Sequence, residues 1–358
     1  MSAFSQRLIV EPDDGLEPVR QFIDSARNSL FIKQFTFTEP RLVAAVIDRT
    51  KAGVDVRAML NAQRSGGDRA NDETFEQFQN AGVAGPVVKP QFYVTHEKSI
   101  VVDEQAALVA TFNLMEKYFT LTRDYGIITD DPYHVSQIVE VFNADWDSAI
   151  GSAAPMKACC GAIPIRVITW RNSLTRPPSG WMSSIRNMWT RSFSNGSRRR
   201  LIVVSKCTLS VVVSTASVNG ILDTFASLRT LKRFGVRVHK QKNLRVHAKL
   251  IVVDNAHTLV GSMNIDRSAF DLRRELGIMT NDPAIVGRLT EVFDSDWDLS
   301  HHYEAPDPLD PPQHHEDDFP SCCEAKLADA RVTPTGSTPW GRQTRPCSPG
   351  WRRAVTFR

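Results

Sequence analysis

Thr95-His96-Glu97-Lys98-Ser99-Ile100-Val101-Val102-Asp103 is answered by Val246-His247-Ala248-Lys249-Leu250-Ile251-Val252-Val253-Asp254. Each stretch reads His-x-Lys, four residues, then Asp. The offset from His96 to His247 is 151 residues, and it carries on unchanged. Ala110-Thr111-Phe112-Asn113 maps onto Gly261-Ser262-Met263-Asn264, and Asp124 onto Glu275. Pro132 maps onto Pro283, and Asp145-Trp146-Asp147 onto Asp296-Trp297-Asp298. A lone His-x-Lys would carry little weight, because short patterns arise by chance. Two copies in ungapped register over about fifty residues point to duplication.

Periodicity gives the local structure. Ser99–Val102 and Leu250–Val253 are short, β-branched apolar runs that suit a buried strand. Leu108-Val109 and Leu259-Val260 begin a second strand that ends at the small-residue turn. Tyr125–Ile128 and Leu276–Met279 read as a third. Asp131-Pro132 and Asp282-Pro283 then open a helix, with Asp as N-cap and Pro at the first helical position. In the first half, Leu16–Asn28 reads as an amphipathic helix and Leu30–Phe35 as a strand. Glu39-Pro40 starts a helix running to about Lys51, and Gly53–Arg57 turns into a strand. That β-α-β order is the usual source of parallel sheet.

At 358 residues the chain is long enough for two domain-sized halves. A formal charge of +3 does not by itself argue for nucleic acid. Met1–Arg7 has no apolar stretch of signal-peptide type. No run of about 18 apolar residues occurs. The expectation is a cytoplasmic chain with at most peripheral membrane contact. Cys159, Cys160, Cys207, Cys322, Cys323 and Cys347 all lie outside the repeats. Their spacing suits neither a zinc site nor a disulfide framework, so free thiols are expected.

The second half lacks the clear lead-in of the first. From about Met156 to Ser217 the text is rich in Arg, Ser, Trp and Pro, with no helical or strand period. Two accounts stand: translation outside the ancestral reading frame, which composition favours, and a natural insertion with a disordered tail. The expected organisation is a first lobe at 1–150, an atypical segment at 151–217, a second lobe at 218–300 without its lead-in, and a disordered tail at 301–358.

At the paired motifs the chain resembles the phospholipase D superfamily, whose signature is His-x-Lys-x4-Asp with a following Gly-Ser-x-Asn. The first copy departs from it in having Ala110-Thr111, which keeps a hydroxyl. The resemblance implies an α/β fold of two pseudo-twofold-related lobes, each a mixed sheet flanked by helices, with one active site at their interface. It also implies no metal or other cofactor.

The residues fit the chemistry of a phosphodiester, whose negative charge repels nucleophiles. Imidazole can attack while neutral and protonate a leaving group while charged, so two histidines can divide those roles. By the resemblance, His96 attacks phosphorus and His247 protonates the departing alcohol, then activates water or an acceptor. Lys98 and Lys249 would hold phosphoryl oxygens. Asn113 and Asn264, with Thr111 and Ser262, complete the expected phosphate-binding set. Asp124 and Glu275 each lie 28 residues after a motif histidine. The resemblance implies that an acid so placed bonds the other ring nitrogen. Asp103 and Asp254 are expected to hold the loop after the strand.

A single buried histidine is most often a satisfied core residue; the matched second copy reverses that reading here. His134, His239 and His257 have no such company and read as structural or solvent-facing. His301-His302 and His314-His315 read as a solvated tail, and Arg198-Arg199-Arg200 lies in the atypical segment.

The leading reading is a phospholipase D-like phosphodiesterase that cleaves or transfers phospholipid head groups. Lipid would enter past Phe92-Tyr93, Phe112–Met115 or Tyr118-Phe119, which could equally be core. A nuclease of the same chemistry is the alternative. Arg237, Lys240, Lys242 and Arg245 would supply part of its basic groove. The third reading is an inactive phosphate-binding remnant.

Overall fold

The computed structural model describes residues 5–63, 67–85, 94–149, 208–210, 228–229, 232–233, 236–241, 243–264, 269 and 273–304. The first lobe runs Gln6–Glu11 (β1), Glu17–Asp24 (α1), Ser29–Gln34 (β2), Pro40–Lys51 (α2), Asp55–Leu60 (β3), Asp72–Ala81 (α3), Val94–Thr95 (β4), Ser99–Val102 (β5), Ala106–Ala110 (β6), Thr122–Thr129 (β7) and Pro132–Ala149 (α4). Its main sheet has the order β1-β7-β6-β5-β2-β3. Only β2 and β3 pair in parallel along that path, and α2 is their crossover. The β-α-β unit expected from the sequence is therefore present.

Strand alternation divides the core into two. Leu30, Ile32, Ile100, Val102 and Leu108 pack with Val19, Ile23, Leu42 and Val46 of α1 and α2. Phe31, Val101, Val109 and Ile127 face the other way, onto Val135, Ile138 and Phe142 of α4.

The second lobe runs Thr208–Ser210 (β8), Arg237–Gln241 (β9), Arg245–Val246 (β10), Leu250–Val253 (β11), His257–Gly261 (β12), Arg273–Arg274 (β13), Gly277–Thr280 (β14), Pro283–Asp298 (α5) and Ser300–His302 (β15). The antiparallel sheet β11-β12-β14 repeats β5-β6-β7. Asp282 caps α5 as its sequence foretold, its carboxylate accepting from the amides of Ala284 and Ile285. Val260, Leu276, Ile278, Ile285, Leu289 and Val292 join the α4 side of the first lobe in one continuous core. The aromatic pairs repeat as well: Phe142 stacks on Trp146 and Phe293 on Trp297.

Two short exchanges tie the lobes. β4, just before His96, pairs in parallel with β13 of the second lobe. β10, just before His247, pairs in parallel with the start of β7 in the first. Each histidine motif is thus entered from a strand bound to the opposite lobe.

The turns after the motif strands are also paired. Asp103 and Glu104, like Asp254 and Asn255, have φ between 51 and 54°, a left-handed pair that tightens a hairpin. Asp103 accepts from the amides of Arg27, Asn28 and Ser29 and so pins the entry to β2.

The Gly261 departure from Ala110 has a local cause. A Cβ at Gly261 would lie 2.4 Å from the Leu276 carbonyl oxygen, beside the pairing of Gly261 in β12 with Gly277 in β14.

Two expectations need correction. Thr208–Ser210, inside the segment read as atypical, forms a strand parallel to β9. Part of the lead-in is therefore present. His301 and His302 do not start a solvated tail; they form β15 and pair with β9, which satisfies the backbone of that strand's edge. The rest of 151–217, all six cysteines, Arg198–Arg200, His314-His315 and the tail from 305 lie outside the described residues.

Lys33 is wholly buried and bonds two carboxylates, Glu97 at 3.2 Å and Asp145 at 2.8 Å. Removing one partner of such a group strands the others without compensation. Lys33→Met should therefore cost about 3–5 kcal/mol of folding stability, read from urea unfolding. A loss below about 1 kcal/mol would mean the cluster behaves like an exposed pair.

Candidate active site

His96 and Lys98 lie in the link between β4 and β5, and His247 and Lys249 in the matching link between β10 and β11. The strand exchange holds each link against the opposite lobe. The His96 amide donates to the Arg274 carbonyl at 2.8 Å, and the His247 amide to that of Arg123 at 3.1 Å. The next residue in each case is the acid of the motif, so each acid meets the histidine of the other lobe. His96 Nδ1 lies 3.0 Å from both oxygens of Glu275. His247 Nδ1 lies 2.8 Å from Asp124 Oδ1. Spacing alone suggests no such crossing, because it counts each acid from its own histidine.

With Nδ1 committed to a carboxylate, Nε2 is the ring nitrogen left for other contacts. Lys249 Nζ lies 2.9 Å from His247 Nε2 and donates to the His247 carbonyl at 2.5 Å. Lys98 Nζ donates to the His96 carbonyl at 2.5 Å. Phe35 meets the His96 ring edge-on at 5.1 Å, and Tyr118 lies against His247 at 4.7 Å. Among the described residues, no group of three or more His, Cys, Asp or Glu side chains is placed to hold a metal ion.

The two imidazoles differ in environment. The His96 side chain is 11% exposed and that of His247 20%. Burial pushes His96 well below its ordinary pKa, and the Lys98 and Lys249 charges push the same way. Burial also lowers His247, but the Asp124 carboxylate pulls back. Burial alone would raise Asp124; the facing His247, with Lys249 and the Thr111 hydroxyl, holds it below the usual carboxylate range.

Thr111 and Ser262 need a correction. Both are fully buried. The Thr111 hydroxyl donates to Asp124 at 2.6 Å and that of Ser262 to Glu275 at 2.5 Å. Each also accepts the amide that follows the acid, from Tyr125 and Leu276. In this structure both hydroxyls are engaged in fixing the acids. Asn113 is buried with an unpartnered Oδ1, and Asn264 is half-buried. The loop Phe112–Met115 and the pair Tyr118-Phe119 are core of the first lobe, with Phe112 and Leu114 fully buried. Phe92-Tyr93 lies outside the described residues.

Other features went unassigned in the sequence. Arg123 and Arg274, each next to a site acid, bind Asp296 and Asp145 of the opposite lobe. The offset of 151 was their only signal. His134 Nδ1 lies 3.2 Å from Asp131, His239 stacks on Trp297 at 3.6 Å, and His257 is exposed. Of the basic groove residues, Arg237 covers Trp297, Lys240 faces His301 in the strand pair, Arg245 is exposed, and Lys242 lies outside the described residues.

Burial brings Lys98 down to about 7 and Lys249 to about 8. Near neutral pH the empty site is therefore short of protons that an anion would restore. Anion binding should take up protons and weaken as pH rises. Sulfate, whose own charge is constant in this range, should lose at least about tenfold in affinity between pH 7 and 9. Calorimetry in two buffers of different ionisation heat measures both effects. A flat Kd would mean that both ammonium groups stay charged in the empty site.

A family model described as "Cardiolipin synthase, PLD-like domain" matches the chain at 19–146 and again at 187–297. The second match begins inside the segment read as atypical. The major cardiolipin synthase ClsA of Bacillus subtilis is 23% identical over 83% of this chain and 69% of its own length. Cardiolipin synthase 2 of Bacillus cereus is 18% identical over 82% of this chain and 65% of its own length. The chain thus spans about two thirds of these relatives. Among solved structures, the phosphatidylserine synthase of Haemophilus influenzae superposes with a TM-score of 0.59 at 12% identity, over 84% of this chain and 88% of that one. That likeness shows the fold. With the model matched in both halves, each around one of the crossed histidines, the chain belongs to the cardiolipin synthase-type PLD-like domains of the phospholipase D superfamily.

Proposed function

We propose that the chain cleaves the head group of a phospholipid and passes the phosphatidyl group to an alcohol or to water. The observation that carries this reading is the crossed pairing of two imidazoles with two carboxylates between the lobes, at 3.0 and 2.8 Å. Neutral His96 attacks phosphorus through Nε2. The bond from phosphorus to the head-group oxygen breaks, and that oxygen takes its proton from His247. The phosphatidyl group now rests on His96. His247, neutral after its gift, removes a proton from the acceptor; the acceptor oxygen attacks phosphorus and the P–N bond breaks. Lys98 and Lys249 face the non-bridging oxygens, where charge builds. Glu275 and Asp124 hold both rings in the tautomer that leaves Nε2 available.

The names of the relatives favour lipid over nucleic acid and transfer over hydrolysis. No helix among the described residues is long and apolar enough to cross a membrane. The test presents vesicles of phosphatidylglycerol and, in parallel, single- and double-stranded DNA, all in EDTA. A product carrying two phosphatidyl groups, with glycerol released in step, supports transfer. Phosphatidate alone supports hydrolysis. DNA cleavage without lipid turnover overturns the reading in favour of the nuclease.

A further inference from the structure

Behind His96 a ring of contacts closes on itself. Glu97, the middle residue of His-x-Lys, turns away from the site and accepts from Ser99 Oγ at 2.7 Å and from Lys33 Nζ at 3.2 Å. Lys33 also donates to Asp145 Oδ2 at 2.8 Å. Asp145 Oδ1 accepts from Arg274 Nη2 at 2.6 Å. The Arg274 carbonyl accepts the His96 amide, and the residue after it, Glu275, holds the His96 ring. The side chains are 0, 2, 12 and 14% exposed for Lys33, Glu97, Asp145 and Arg274. Water therefore screens these contacts little. Burial alone would raise the Asp145 carboxyl, but the Lys33 and Arg274 charges overcome that and hold it below its ordinary range.

Among the described residues His247 has no matching ring. Ala248 occupies the place of Glu97 and supplies no carboxylate there. Arg123 does reach across to Asp296 with two bonds of 2.8 and 3.1 Å. It also bonds Asp13 and the Glu11 carbonyl of its own lobe. Among the described residues the link from Arg123 runs to Asp296 of α5 and is not closed by a carboxylate beside His247.

We propose that Glu97, Lys33, Asp145 and Arg274 are positioning residues that fix the His96 imidazole, and that Ala248 leaves His247 the freer ring. The division suits two jobs. A nucleophile must meet phosphorus at a set distance and angle. A proton carrier must serve first a leaving oxygen and then an incoming one. The matching of ring to nucleophile rests on the function proposed above; the effect of the ring on His96 does not.

The test needs no substrate. In protein labelled with 15N-histidine, ring signals are assigned from His96→Ala and His247→Ala. Asp145→Asn and Arg274→Lys should shift and broaden the His96 signals while those of His247 stay in place. Asp296→Asn should leave the His96 signals in place and move those of His247 less than Asp145→Asn moves those of His96. In turnover, Asp145→Asn should lower kcat about 10- to 100-fold with KM within about twofold. Should Asp145→Asn fail to fold, Glu97→Gln carries the same expectation. His96 signals unmoved in these variants, or both histidines moved alike, would overturn the proposal. Wild-type protein without turnover on any phosphodiester would instead sink the proposed function, and the ring signals would still decide the positioning role.

Discussion

His247→Ala protein given a diester with a p-nitrophenolate leaving group should release one equivalent per chain and stop; His96→Ala protein should release none. This leaving group departs without a proton, so the first step needs only a nucleophile. The second step needs a base to activate water, and His247→Ala lacks it. The expected products are a burst and a stable phosphohistidine at His96, trapped by alkaline quenching. Steady-state turnover should fall by about 10⁴-fold or more in both variants. The environments favour this assignment over its mirror image. His96 is the more buried ring and is pushed well below its ordinary pKa with both lysines helping, so it stands neutral and ready to attack. His247 is the more exposed; burial lowers it too, but the Asp124 carboxylate offsets part of that and favours the charged form a general acid needs. A burst from His96→Ala would exchange the roles. Undiminished turnover in either variant would end the two-histidine mechanism.

The repeat made much of this site legible. Because the register is ungapped, every candidate came as a pair: His96 with His247, Lys98 with Lys249, Asp124 with Glu275. The same period placed strands β5, β6 and β7 and their copies, since alternating or continuous apolar runs state which face is buried. What sequence did not show is which copy touches which. The crossing of Asp124 to His247 follows from β10 adding to β7, and two-residue strands carry too little pattern to be read as pairing partners. Thr111 and Ser262 were misplaced for a related reason. A small hydroxyl beside a phosphate-binding motif fits a substrate role and a carboxylate-holding role equally well; only depth of burial separates them. Lys33 and Glu97 were invisible because a buried ion pair looks in sequence like two surface charges. His301-His302 failed in the other direction: flanking Pro and Asp suggested a tail, while the free edge of β9 recruited the segment into the sheet.

The crossing itself has a large and directional consequence. If acids served the histidine of their own motif, Asp124→Asn would impair His96 and block formation of the phosphoenzyme. In the crossed arrangement Asp124→Asn impairs His247. The amide cannot stabilise the imidazolium and can favour the wrong tautomer, so proton transfer suffers while attack does not. The p-nitrophenolate diester should then give a burst from Asp124→Asn followed by turnover slowed about 10²- to 10⁴-fold. Glu275→Gln should show no burst and a slow first step of similar size, because His96 has lost the group that aims its Nε2. On the proposed mechanism the second-lobe acid governs the first-lobe nucleophile, and the first-lobe acid governs the second-lobe proton carrier. Neither half can be repaired alone: each lobe holds one histidine and the orienting group for the other. Catalysis therefore demands both lobes folded and docked, through Arg123–Asp296 and Arg274–Asp145 as well as the shared core. Interchanged outcomes for Asp124→Asn and Glu275→Gln would return each acid to its own motif and dissolve that dependence.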